Sequence, residues 1–149
     1  MKFLVLNGAN LNLLGVRNPE VYGTRTLSEI NEQIKAVGED SGVEVDFVQS
    51  NIEGELIDEI HDAIGEYDGI VLNAGAFTHY SYALRDAIEA AKIPTIEVHM
   101  TNIYARERFR NKSVIAPVCS GQITGIGEMG YVLALAALTE MLRADDEEE

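Results

Sequence analysis

Phe3-Leu-Val-Leu-Asn7 is a short, continuously apolar run that ends at Gly8. A strand buried on both faces of a parallel sheet has this pattern, because both sets of alternating side chains contact apolar neighbours. Four further runs of this kind follow along the chain, at 43–48, 69–73, 94–98 and 114–118. We predict a buried strand at each of these positions.

Segments with helical periodicity separate the predicted strands. Thr26-Leu-Ser-Glu29 has the pattern of a capping box, and aliphatic residues then recur at helical spacing as far as Val37. Further helices are predicted at 53–67, 79–91 and 128–143, with a short one at 102–109. Strands that alternate with helices form a parallel sheet with helices on both faces.

For five strands, this pattern predicts a flavodoxin-like α/β fold. The fold is a three-layer sandwich whose five-stranded parallel sheet has the order 2-1-3-4-5, and its ligands bind beyond the carboxyl ends of strands one and three. We predict that residues 1–143 form a single domain. Residues 144–149 are predicted to be an acidic, disordered tail.

The chain is strongly acidic, with a formal net charge of −14. Such a charge repels nucleic acid and anionic membranes, so we predict neither as a partner. It also predicts an acidic surface, of the kind that a salt-rich cytoplasm favours. A single cysteine, Cys119, excludes an internal disulfide and fits a reducing compartment. The longest apolar stretch, 131–138, is far shorter than the roughly 20 residues of a membrane span. We therefore predict a cytoplasmic protein.

Polar side chains follow the predicted strands at the edge where a ligand is expected. Asn10 follows the first strand, and Asn73 ends the third strand. His79 begins the helix after the third strand, and His99 ends the fourth. Two of the 3 histidines therefore lie at the predicted crevice, whereas His61 is predicted to lie on the surface of a helix.

Two pairs of residues in these segments have the chemistry of an acid and a base. Glu97 and His99 are two residues apart on a strand, so their side chains share a face. A carboxylate there orients the imidazole and favours its protonated form, although the spacing leaves a purely structural hydrogen bond open. Arg17 and Tyr22 lie in a loop with glycines and a proline that suit a lid. A neighbouring guanidinium favours the phenolate, which is a usable base, but the sequence leaves surface positions for both residues open.

Asp86 lies seven residues after His79, on the same face of a predicted helix. The two side chains are about 10 Å apart along that face. They contact one ligand only if the ligand is long or if one of them reaches a neighbouring subunit. Pairing of Asp86 with Arg85 or another surface base is the alternative.

One glycine motif is misleading. Gly125-Ile-Gly-Glu-Met-Gly130 matches the dinucleotide-binding fingerprint, but that fingerprint follows the first strand of a dinucleotide fold and has further strands after it. Here the motif precedes the last helix, so we interpret its glycines as packing positions. The sequence also has no C-x-x-C or H-E-x-x-H pattern, and we predict neither a metal site nor a cofactor.

Several sequence blocks share one further property, which is their similarity to a known family. They are Asn7-Gly-Ala-Asn-Leu-Asn-Leu-Leu-Gly15 with Arg17 and Tyr22-Gly23, Gln49-Ser-Asn-Ile-Glu-Gly-Glu-Leu-Ile-Asp58, Asn73-Ala-Gly-Ala-Phe-Thr-His79 with Ala83-Leu-Arg-Asp86, Ile96-Glu-Val-His-Met-Thr-Asn102 with Ala105-Arg-Glu107 and Phe109-Arg110, and Gly125–Ala136. In this order they resemble the type II 3-dehydroquinate dehydratases. The similarity extends over residues 3–142, nearly the whole chain.

The resemblance implies an activity and a catalytic set. The family converts 3-dehydroquinate to 3-dehydroshikimate, a step of the shikimate pathway in aromatic amino acid biosynthesis, by anti elimination of water through an enolate. No metal or organic cofactor takes part. The resemblance implies that Tyr22 removes the C2 proton and that Arg17 stabilises the phenolate and the transition state. His99 then protonates the departing C1 hydroxyl and is held by Glu97, and Asn10 helps to hold a water near the enolate oxygen.

The resemblance also implies a set of substrate-binding residues. Asn73, His79 and Arg110 correspond to residues that bind the ring hydroxyls. Met100 and Thr101 correspond to the site of the substrate carboxylate.

Assembly is implied as well. The family forms homo-oligomers, dodecamers built as tetramers of trimers, in which the acid corresponding to Asp86 reaches a neighbouring active site. The alternative function is a flavodoxin-like module that binds a flavin or a phosphate. Such a module needs a Ser/Thr- and Gly-rich loop after the first strand, whereas residues 7–15 are rich in asparagine and leucine.

Overall fold

Five parallel strands form the central sheet of the computed structural model, which describes residues 1–148. Their order is β2-β1-β3-β4-β5, as the sequence predicts. The strands are β1 Lys2–Asn7, β2 Glu44–Gln49, β3 Gly69–Asn73, β4 Thr95–His99 and β5 Gly121–Thr124. Asn7 lies opposite Asn73 in the register of β1 and β3, so the carboxyl ends of these two strands are level.

Helices cover both faces of the sheet. They are α1 Pro19–Tyr22, α2 Leu27–Asp40, α3 Glu53–Asp62, α4 Tyr82–Ala91 and α5 Met129–Glu148. Side chains of β1 alternate between two cores, because Phe3 and Val5 pack with α2 and α5, whereas Leu4 and Leu6 pack with α3 and α4. The three-layer sandwich is therefore confirmed, and β1, β3 and β4 are the strands that are buried on both faces.

The start of α2 follows from local sequence. The Thr26 hydroxyl accepts a hydrogen bond from the Glu29 backbone N–H, and the Glu29 carboxylate accepts one from the Thr26 N–H. This reciprocal capping box satisfies two of the amide groups that a helix leaves without partners at its first turn. The predicted capping box is confirmed.

The predicted fifth strand at 114–118 is wrong. The strand that pairs with β4 is Gly121–Thr124, and residues Ala116–Val118 form a 3-10 turn. Val114 and Ile115 are apolar because they are buried in the core between the sheet and α3 and α4. The true β5 is a short edge strand that is only partly buried, so it lacks the apolar run that a central strand requires.

Several helix boundaries also differ from their predicted positions. A 3-10 turn covers Gly75–His79, and α4 begins only after Ser81, whose hydroxyl caps the Leu84 N–H. The segment 102–109 contains the 3-10 turns Ile103–Ala105 and Arg108–Arg110 instead of one helix.

The two remaining differences concern where helices end. Helix α3 stops at Asp62, before the predicted end at 67. Helix α5 continues to Glu148, although the sequence predicts disorder from residue 144, and Glu149 lies outside the described residues. Alanine and glutamate favour helix, and extending an existing helix needs no new nucleus. Within residues 1–148, no helix combines the length and the hydropathy that crossing a membrane requires.

Candidate active site

A pocket lies beyond the carboxyl ends of β1, β3 and β4, at the edge of the sheet that the sequence indicates. Nine of the predicted site residues line it: Asn10, Arg17, Tyr22, Asn73, His79, His99, Met100, Thr101 and Arg110. Glu97 is buried directly behind His99. Asp86 is exposed on α4 and does not line the pocket.

The floor of the pocket depends on two close backbone contacts between the loops after β1 and β3. The Gly8 N–H donates a hydrogen bond to Asn73 O (2.8 Å), and a Cβ at Gly8 would overlap the Ala74 carbonyl. A Cβ at Gly75 would lie 2.9 Å from Ala9 O, and Gly75 also has a positive φ of 60°. Glycine is therefore required at both positions, because a side chain would push the two loops apart.

A flap, residues 15–25, covers one side of the pocket and carries Arg17 and Tyr22. Its ends meet, since a Cβ at Gly15 would lie 2.9 Å from Thr24 O. Arg25 anchors the second end: its Nη1 donates to Gln33 Oε1 (2.8 Å) and Glu128 Oε1 (2.6 Å). The flap is thus a compact loop with a fixed base.

Two guanidinium groups lie against Tyr22. Arg106 Nη1 donates a hydrogen bond to Tyr22 Oη (2.9 Å), and its Cζ is 5.7 Å from the ring centroid. Arg17 Cζ is 5.2 Å from the same centroid. Tyr22 Oη thus accepts a hydrogen bond from one cation, and a second cation lies beside its ring.

Sequence reasoning assigns no role to Arg106, although it lies in one of the quoted blocks. The residue is separated from Tyr22 by 84 positions, and no periodicity relates the two segments. The available signal is its place between a predicted acid, His99, and a predicted substrate-binding residue, Arg110, in the segment after β4.

His99 is backed by a buried carboxylate, as the shared strand face predicts. His99 Nε2 donates to Glu97 Oε2 (2.5 Å), and Glu97 also accepts hydrogen bonds from Thr78 Oγ1 (2.6 Å) and Ser113 Oγ (2.8 Å). Burial by itself raises the pKa of Glu97, but the hydrogen bonds and the charge of His99 outweigh it and hold that pKa below its usual value. The ionised Glu97 carboxylate accepts the Nε2 proton and fixes the orientation of the His99 ring.

Asn73 is held in one orientation by a polar network beneath the pocket. Its Nδ2 donates to Tyr131 Oη (2.8 Å), and Tyr131 Oη donates to Asn7 Oδ1 (2.6 Å). Its Oδ1 accepts from the Gly75 N–H (3.1 Å). Burial raises the pKa of the Tyr131 phenol, so this group stays neutral and keeps its proton. The second hydrogen of Asn73 Nδ2 is left for a ligand. No local sequence pattern indicates Tyr131, because only the packing of α5 brings it under the pocket.

The remaining polar groups of the pocket are also oriented. His79 Nδ1 lies 2.7 Å from the Lys112 carbonyl oxygen, which only accepts hydrogen bonds, so the proton is on Nδ1. The rings of His79 and His99 are 6.5 Å apart and nearly parallel. Arg110 Nε lies 2.9 Å from Glu107 Oε2, at ion-pair distance, although its N–H is not aligned for a hydrogen bond.

The arrangement places a base and an acid on one pocket. Tyr22 has two cations beside it, and His99 has a carboxylate behind it. Such a pair suits removal of a proton at one carbon and protonation of a leaving oxygen at another. Among residues 1–148, no three histidine, cysteine or acidic side chains are grouped to hold a metal ion.

Comparison with known proteins identifies the family. Residues 1–139 match the family described as Dehydroquinase class II. The 3-dehydroquinate dehydratase of Pelotomaculum thermopropionicum is 61% identical over 137 residues, which cover 92% of this chain and 95% of the relative. The enzyme of the same name from Clostridium perfringens is 53% identical over 144 residues, with 96% and 100% covered.

A solved structure gives the same result. The crystal structure of the type II dehydroquinase from Butyrivibrio crossotus superimposes with a TM-score of 0.92 at 47% identity and covers 93% of this chain and 97% of that one. Its similarity extends to sequence as well as fold. With the matched sequence and the site geometry taken together, the chain belongs to the class II dehydroquinase family.

Proposed function

We propose that this pocket dehydrates 3-dehydroquinate to 3-dehydroshikimate by anti elimination through an enolate, as a step of the shikimate pathway. The observation that carries the mechanism is the contact of Tyr22 with the guanidinium groups of Arg17 and Arg106 on the wall of a pocket that His99 also lines. Family membership supports the reaction, and the geometry supports the assignment of its steps to particular residues.

The first step is removal of a proton from C2, next to the substrate ketone. A carbon acid of this kind needs a strong base and a stabilised oxyanion. Tyr22 provides the base as phenolate, and Arg17 on the same flap stabilises both the phenolate and the developing negative charge. Asn10, in the loop after β1, helps to hold a water near the enolate oxygen.

The second step is loss of the C1 hydroxyl. His99 protonates this oxygen as it leaves, and water departs as the enolate collapses to the conjugated ketone. Glu97 does not touch the substrate; it positions His99 through their hydrogen bond. Asn73, His79 and Arg110 bind the ring hydroxyls, while Met100 and Thr101 receive the carboxylate. The proposed steps need no metal or organic cofactor, because apart from the water near Asn10 they use only groups of the protein.

Assembly into a homo-oligomer, a dodecamer of four trimers, is part of the proposal. Aromatic side chains near the pocket are exposed to an extent unusual for their size, with Tyr82 and Phe109 each 67% exposed and Tyr80 57% exposed. Asp86 lies on the same helix as Tyr82. Contact between subunits at this surface buries the aromatic rings and brings Asp86 to a neighbouring pocket.

The acidic composition of the chain and its single cysteine support a location of the protein in the cytoplasm.

Stereochemistry tests the proposed reaction. Substrate deuterated at one C2 position and then at the other is converted while the ultraviolet absorbance of the conjugated enone is followed. Loss of the deuterium that lies anti to the C1 hydroxyl, with a primary isotope effect, is the expected result. Loss of the other deuterium, or no enone at all, overturns the proposal. A flavin-binding module instead gives a yellow protein that leaves the substrate unchanged.

A further inference from the structure

Residues 112–116, which we call the strap, connect the two histidines of the pocket. The Lys112 carbonyl accepts the Nδ1 proton of His79 (2.7 Å). The next residue, Ser113, contacts the carboxylate that holds His99. Val114 N donates to Thr78 O (2.8 Å), and the Val114 side chain is buried, so the strap is fixed to the core between these contacts.

The direction of the Ser113 hydroxyl is determined by its neighbours. The Ala116 N–H donates to Ser113 Oγ (3.0 Å), and a backbone N–H can only donate. The hydroxyl proton therefore points toward Glu97, whose two oxygens lie 2.9 and 2.8 Å from Ser113 Oγ. Ser113 thus donates a hydrogen bond to the carboxylate as long as the carboxylate is ionised.

We infer that Ser113 is a positioning residue for the dehydration, whose hydroxyl keeps Glu97 ionised and aligned with His99 so that the imidazole directs its other N–H into the pocket. The inference rests on the proposed function of His99 as the acid. Ser113 does not line the pocket, so it acts on the substrate only through Glu97 and His99.

The charges around Glu97 support this role. The titratable groups that face it are His99 on β4 and Cys119 beyond the strap, and Arg85 of α4 binds the strap through Val114 O (3.2 Å). Burial and the Glu97 charge raise the pKa of the Cys119 thiol to about 12, so the thiol is neutral. Thr78 and Ser113 therefore supply the neutral hydroxyl donors that offset burial of the Glu97 side chain, which is 0% exposed.

The sign of the expected pH effect follows. The pKa of Glu97 is lower in the folded protein than its ordinary value, so the ionised state is lost only as the pH falls through that lowered value. Loss of the Ser113 donor raises the pKa of Glu97 again. The carboxyl group then takes up a proton at a higher pH, and the acid-side limb of the activity profile moves toward neutral pH.

Ser113→Ala tests the inference through kcat and KM measured across the acid range. A hydrogen bond to a charged group stabilises by about 1.5–3 kcal/mol, so we expect kcat to fall roughly tenfold or more, with KM within about twofold of wild type. The acid-side limb of kcat shifts upward in pH. Ser113→Thr keeps the hydroxyl and restores both the rate and the profile.

Thr95→Val is the matched control, since it removes a buried hydroxyl at the other end of β4 that bonds to Ile93 O (2.9 Å). We expect this variant to lose stability and keep its pH profile. An unchanged rate and profile in Ser113→Ala, or an equal change in Thr95→Val, overturns the inference. Should Ser113→Ala not fold, Ser113→Cys provides the same comparison, because a thiol is a weak donor. Wild-type enone formation separately reports on the proposed function.

Discussion

Tyr22 combines one hydrogen-bonded oxygen with a ring that two cations contact. Tyr22→Phe removes the oxygen and leaves the ring between the same guanidinium groups. We expect turnover to be abolished and ligand binding retained, because the base is lost while the pocket wall is preserved. Enone absorbance measures turnover, and titration calorimetry with a substrate analogue measures ligand binding. A rate close to wild type would remove Tyr22 as the base.

Arg106 tests whether the hydrogen bond to Tyr22 Oη matters beyond general positive charge. Arg106→Met removes the donor, and we expect kcat/KM to fall by about 10- to 100-fold, the equivalent of one hydrogen bond to a charged group. Arg108→Met is the control, because it removes the same charge from an exposed position two residues away. Equal losses in the two variants would mean that net charge, not the contact with Tyr22, sets the rate.

At the residue scale, the sequence predicts which side chains of one segment lie together, but it does not predict contacts between side chains of distant segments. The two-residue repeat of a strand puts Glu97 and His99 on one face, and a single loop holds Arg17 and Tyr22. Ser113 reaches Glu97, by contrast, from a turn whose direction no periodicity fixes. Arg106 and Tyr131 are equally outside the range of local patterns, since packing alone brings them to the site.

At the scale of elements, the hydrophobic pattern predicts the sheet order and most helices, but it does not predict the position of the edge strand β5. Val114 and Ile115 look like a strand because burial between layers demands the same residues as a central strand. The actual β5, Gly-Gln-Ile-Thr at 121–124, is half polar. An edge strand needs only one covered face, so its sequence carries a weaker signal.

The flap depends on an ion pair at its base. Arg25 connects the end of the flap to Glu128, just before α5, with both side chains partly exposed. Because exposed ion pairs contribute about 1 kcal/mol or less, we expect Arg25→Met and Glu128→Gln each to lower kcat/KM by only a few fold, through looser placement of Tyr22. The double variant should lose little more than either single variant, and steady-state kinetics of all three check this.

A second ion pair on α5 is the control for the flap. Arg143 and Glu140 form an exposed pair far along the same helix, so Arg143→Met removes a comparable contact without touching the flap. We expect the Arg143→Met variant to have the kcat/KM of the wild type. Fully additive losses in the Arg25 and Glu128 variants would show that the two residues act separately.

At the scale of the whole molecule, charge is distributed unevenly. The chain has a net charge of −14, yet three of its 11 lysines and arginines, Arg17, Arg106 and Arg110, line one pocket. An anionic substrate is repelled by the surface in general and attracted at this position. In the proposed mechanism, the arginines stabilise the phenolate and the enolate, and their positive charge also attracts the substrate carboxylate to the pocket.

Assembly is the property that one subunit cannot display. Asp86 is exposed outside its own pocket, on the same helix as the exposed Tyr82, and the side chains of Tyr80 and Phe109 are exposed as well. If Asp86 completes a neighbouring site, then Asp86→Ala and Tyr22→Phe disable different components of a shared site. Each variant alone should be impaired, and each still carries the component that the other lacks.

Subunit exchange between these two variants decides the point. A mixed oligomer contains sites in which an intact Tyr22 meets an intact Asp86 from the adjacent subunit, so we expect mixing under conditions that permit exchange to restore a substantial part of the activity. Re-isolated unmixed oligomers are the control, and size-exclusion chromatography with light scattering gives the subunit number. If Asp86 served only its own pocket, every subunit in the mixture would carry a defect, and no ratio of the two variants would raise the activity above the sum of the separate preparations.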